Sequence, residues 1–94
     1  MADALSAVAD QARPASLLAQ VQACWADAVG PTVAAQSAAV AERGGSVTVA
    51  CTSAVWAQEL ELLEPDLRVQ LNEAVGGARP APISGLRFRV GRLP

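Results

Sequence analysis

Few side chains in this 94-residue chain have reactive chemistry, and their types restrict what it can do. It has no His, Tyr or Lys, so the usual general bases and Schiff-base residues are missing. Cys24 and Cys51 have no His to complete a closed zinc site with them. Two cysteines are too few for a disulfide framework, and they read as buried thiols. Glu59, Glu61 and Glu64 lie close together, but on a helix such a run reads as a solvated face rather than a paired acid and base. No P-loop sequence is present. The expectation is a protein that is not an enzyme and uses no cofactor and no metal.

What remains is arginine. Every positive charge in the chain is Arg, the side chain suited to phosphate and to stacking. Residues 1–73 carry three arginines against nine acids, a net −6, while residues 74–94 carry Arg79, Arg87, Arg89 and Arg92 and no acid, a net +4. A basic end on an acidic body points to a local polyanion contact, not wholesale nucleic-acid affinity. Arg87 and Arg89 alternate with Leu86, Phe88 and Val90, which places both on one face of a strand, about 7 Å apart. Two or three phosphate contacts from Arg79, Arg87, Arg89 and Arg92 would bind weakly, with strong salt dependence and little sequence choice. Alternatively these arginines only solvate the strand and pair with Glu42 or Glu73.

The elements that must hold these arginines are legible from periodicity. Between Ser53 and Gly76, Trp56, Leu60, Leu63, Leu67, Leu71 and Val75 form one helical stripe. Ser53 caps its start, Gly76 ends it, and Pro65 divides it into helices over about 54–63 and 65–75. Ser16 caps an earlier helix carrying Leu18, Val21, Trp25 and Val29, stopped by Gly30-Pro31, with Trp25 as its core anchor. Residues 32–36 add a further turn. A hairpin follows over Ala38–Thr52 around Gly44-Gly45, in which Val47, Val49 and Cys51 alternate with polar or small residues. The last strand spans about 85–90. Residues 1–15 are a separate N-terminal segment, frayed or a short helix, and 16–94 are one domain.

The predicted class is α+β, a three-stranded sheet with helices packed on one face. Its order, α-β-β-α-α-β, is that of a type II KH domain. KH domains grip nucleic acid through a GxxG loop between the middle helices. Here that segment is Leu63-Glu64-Pro65-Asp66, with no Gly, one amide donor fewer and two carboxylates. Standard KH binding is not expected there.

Four short sequences occur in order: Trp25…Val29-Gly30-Pro31, Gly45-Ser46-Val47-Thr48-Val49, Ser53-Ala54-Val55-Trp56-Ala57-Gln58-Glu59-Leu60, and Leu86-Arg87-Phe88-Arg89-Val90-Gly91. Together, over residues 16–91, the chain resembles the bacterial DciA family. Members often carry His near Gln36 and Pro near Ala39, and both are absent here. The resemblance implies a KH-like accessory protein of DNA replication. Such a protein would bind the replicative hexameric helicase, assist its loading, and hold single-stranded or forked DNA weakly. It also makes Trp56 a candidate contact for the helicase, beside its plainer reading as a core residue at the junction of helix and sheet. The alternatives are a KH-like RNA-binding module and a protein-interaction domain that never touches nucleic acid. No apolar run approaches the ~20 residues of a membrane span, and no basic n-region precedes an apolar block. The expected location is the cytoplasm.

Overall fold

Gly44 and Gly45 make the tightest turn of the chain, and the sheet is laid out around it. Both have positive φ (58° and 90°), the combination a two-residue hairpin turn requires and only Gly adopts cheaply. A computed structural model of the chain describes residues 16–77 and 80–94. The turn joins β1 (Ser37–Arg43) to β2 (Ser46–Cys51), which pair antiparallel. The third strand, β3 (Gly85–Val90), lies parallel to β2 on its other side, so the sheet order is β1-β2-β3. Parallel neighbours need a long crossover, and two helices supply it. The N-terminal segment 1–15 and Arg79 lie outside the described residues.

Four helices are found among the described residues: α1 (Leu17–Val29), α2 (Pro31–Ala34), α3 (Ala54–Leu62) and α4 (Glu64–Ala74). The architecture is α+β, a mixed three-stranded sheet with the helices packed on one face in KH-like order. Ser16 Oγ accepts the Ala19 N–H at 3.0 Å and Ser53 Oγ accepts the Trp56 N–H at 3.4 Å, so both predicted caps form. The core joins Val21 and Trp25 of α1 to Val47, Val49 and Cys51 of β2, Leu60 of α3, and Leu67 and Leu71 of α4. Trp25 is held by packing and by one hydrogen bond. It is buried in this cluster, and its indole N–H donates to Ser37 Oγ at 3.1 Å, whose hydroxyl donates to the Val33 carbonyl at 2.7 Å. One relay therefore ties α1, α2 and β1 together.

Three expectations need correction. The six-residue stripe is not continuous: Leu63 is 49% exposed. It is the one residue between α3 and α4 and has non-helical backbone angles (φ −94°, ψ 0°), so the helical phase restarts there. Second, α4 begins at Glu64, one residue before Pro65. Third, Glu64 does not belong to the solvated face with Glu59 and Glu61. Its carboxylate accepts the Leu86 N–H at 3.0 Å and lies 3.2 Å from Arg68 Nε. The Arg68 contact is an ion pair without aligned hydrogen-bond geometry.

The segment 76–84, expected only as a loop, contributes a core residue. Ile83 is 1% exposed, and Asn72 holds its backbone at two points. The Asn72 amide donates to the Ile83 carbonyl at 3.0 Å and accepts its N–H at 2.9 Å. Ser84 N–H donates to the Gly45 carbonyl at 2.9 Å, and a Cβ on Gly45 would sit 2.6 Å from the Pro82 carbonyl oxygen. The crossover loop is thus packed onto the hairpin turn, delivering β3 to β2 in register.

Candidate nucleic-acid and partner interface

Strand alternation decides which side chains leave the core, and pairing register gives the address of each. Val47 pairs with Leu86 and Val49 with Phe88, all on the helix-covered face. Thr48 pairs with Arg87 and Ala50 with Arg89. Arg87 and Arg89 are therefore on the opposite face of the sheet, as the alternation predicts, and both are exposed. Arg92 follows the strand and is also exposed. No carboxylate among the described residues pairs with Arg87, Arg89 or Arg92. Glu42, the expected internal partner, instead accepts the Gly45 N–H at 2.8 Å. Arg79, the fourth predicted contact, lies outside the described residues.

The inter-helix segment offers nothing comparable. Leu63 alone separates α3 from α4, Pro65 lacks a donor, and Glu64 is turned inward to Leu86. A phosphate approaching there meets Asp66 and no free glycine backbone.

Trp56 sits in the first turn of α3, half-buried and packed against the core. Its indole N–H has no partner among the described residues. The packing against the core fits the plainer reading of Trp56 as a residue of the helix-sheet junction. Val55 beside it is 66% exposed. Val90, paired with Cys51 at the same end of the sheet, is 55% exposed despite lying on the core-side parity of β3. Periodicity alone assigns Val90 to the core, and the structure leaves it exposed.

Both cysteines are free. Burial pushes both thiols above their ordinary value of 9.0, and for Cys24 the nearby Asp27 adds to the effect while a backbone hydrogen bond opposes it. Cys24 also lines a shallow groove between α1 and α4 with Asp27, Gln70 and Glu73. Its walls are acidic and suit no anion. No described helix is long and apolar enough to cross a membrane.

A family model, described as Dna[CI] antecedent, DciA, matches residues 1–88. The chain belongs to the DciA family. This is a bacterial family of DNA replication and helicase loading. No curated protein matches the chain. The DciA match spans α1 through most of β3 and so includes the strand that carries Arg87, with Arg89 and Arg92 just beyond it.

Proposed function

We propose that this DciA-family chain is a non-enzymatic replication accessory protein that binds the replicative helicase and assists its loading on DNA. The observation that carries this reading is the family match across residues 1–88. The exposed arginines of β3 support a weak, sequence-independent hold on DNA, because unpaired guanidinium groups on a sheet face are free to release counterions from phosphates. Arg87, Arg89 and Arg92 supply that hold, and Arg79 extends it. The protein works in the cytoplasm, where the chromosome is copied. The RNA-binding alternative in the KH manner loses its usual site, since one residue, Leu63, replaces the phosphate-gripping loop.

For the helicase, the best-suited surface is the start of α3 with the exposed Val55 and the half-buried Trp56, near the end of β3 that carries the exposed Val90. Exposed apolar and aromatic groups at one place are the ordinary material of a contact centre. The test is a titration of the chain against the helicase of the same organism. A complex at micromolar concentration is expected, weakened at least tenfold by Val55→Glu, which is exposed and should leave the fold intact. No complex at that concentration would remove the helicase from the account.

A further inference from the structure

A single irregularity in β1 changes which way its last arginine points. Ala39 pairs with Val49, but Ala41 pairs with Thr48, so Val40 is an extra residue with no partner of its own. Such a bulge shifts side-chain parity by one. Without it, Arg43 would share the face of Ala39, which is 1% exposed in the core. With it, Arg43 pairs with Ser46 and stands on the same face as Thr48 and Ala50, and it is exposed. The Gln22 amide of α1 donates to the Ala39 carbonyl at 3.0 Å, pinning the bulge from the helical side.

The open face is therefore edged by arginine on both sides. Arg43 rises from β1; Arg87 and Arg89 rise from β3. Between them the floor is Ser46, Thr48, Ala38 and Ala41, none larger than Thr, while Ala50 at the far end is buried at 1% exposure. From β1 to β3 is about 10 Å at ordinary strand spacing, and Arg43 and Arg87 are about 12 Å apart on the diagonal. No carboxylate among the described residues pairs with Arg43 either. Six of the seven described acids are on the helices, and the seventh, Glu42, is on the parity of Val47, toward the helical layer. The sheet thus separates a basic face from an acidic one.

We infer that this open face is the bed for one single strand of DNA, gripped by its phosphates between Arg43 on one edge and Arg87 and Arg89 on the other. The inference rests on the DNA half of the function proposed above, takes the single strand from the family resemblance, and adds a surface and a further residue. No aromatic side chain stands on the face, so bases are not stacked and sequence is not read. The three phosphate contacts of this face contribute about −2 to the slope of log affinity against log salt, beside the share of Arg92 and Arg79, and each arginine removed should lessen the slope by about 0.7.

The experiment is fluorescence anisotropy of the whole chain against a labelled 20-nucleotide oligo-dT, and against a duplex of equal length, over a salt series. Arg43→Ala is expected to weaken oligo-dT binding severalfold and flatten the slope as much as Arg87→Ala does. Thr48→Glu, which puts a carboxylate on the floor, should abolish binding. Glu59→Gln with Glu61→Gln, which makes the helical side less negative and leaves the sheet face untouched, should change affinity less than twofold. Binding sensitive to Arg87→Ala and Arg89→Ala but indifferent to Arg43→Ala and Thr48→Glu would overturn the trough while leaving DNA contact by the last strand. Tighter binding of the duplex would overturn the single-strand assignment. Indifference to all four variants, or no binding by the native chain, would overturn both the trough and the DNA half of the proposed function, with helicase binding judged separately by its own titration.

Discussion

Asn72 is the residue with the most structural consequence for its size. Its amide satisfies both the N–H and the carbonyl of Ile83, so one side chain stands in for a strand partner at a buried stretch of loop. Asn72→Ala leaves two backbone groups without partners, each costing about 1–3 kcal/mol. A loss of about 2–4 kcal/mol in urea unfolding is expected; a loss below about 0.5 kcal/mol would mean that water replaces the amide. The thiols make a second prediction at this scale. Burial raises both folded-state values, so the folded chain holds these protons more tightly than the unfolded one. Their contribution to stability is complete below the ordinary value of 9.0 and is lost as pH rises through the raised folded values. Melting temperature should therefore fall between pH 8 and 10, and the fall should shrink in the Cys24→Ala, Cys51→Ala double variant. An equal fall in both proteins would assign it to other groups.

Among the elements, β3 depends most on its neighbours. It is an edge strand, and the Glu64 carboxylate at the start of α4 covers its outer edge at Leu86. Glu64→Ala removes a charged acceptor and the Arg68 contact together, which is worth about 1.5–3 kcal/mol. Hydrogen exchange should show the Leu86 amide opening faster, while Glu59→Ala leaves it unchanged. If both variants behave alike, Glu64 is only another solvated acid. This role of Glu64 was not legible in the sequence, because its partner is 22 residues away and nothing local distinguishes it from Glu61. The elements themselves were legible where the signal is local: the Ser16 and Ser53 caps, the Gly44-Gly45 turn, and the alternation of β2 and β3. The features set by tertiary contact were not. They include the inward Ile83, the exposed Leu63 and Val90, and the bulge at Val40 that re-aims Arg43. The run Ala38-Ala39-Val40-Ala41 is nearly uniform in size and polarity, so its pairing register leaves no trace in the pattern.

For the whole molecule, the governing fact is segregation. Among the described residues the helices carry six of the seven acids and the core-facing stripes, and the outer sheet face carries Arg43, Arg87 and Arg89 with no carboxylate paired to them. Net charge is only −2, so a polyanion is attracted by one face and repelled by the other, which orients it before contact. Of the candidate site, Arg87, Arg89 and Arg92 were legible from alternation and charge, and Trp56 from the family resemblance. Arg43 was not, since its face depends on one unpaired residue three positions earlier. On the function proposed above, DNA held on the sheet face would leave the start of α3 for the helicase, so that both partners are engaged at once. The direct test is the amount of replicative helicase retained on single-stranded DNA, measured with and without the chain. The account predicts more helicase retained with the native chain, and a loss of that gain when Arg43, Arg87 and Arg89 are replaced together by Ala. Retention that is unchanged by the native chain would contradict it.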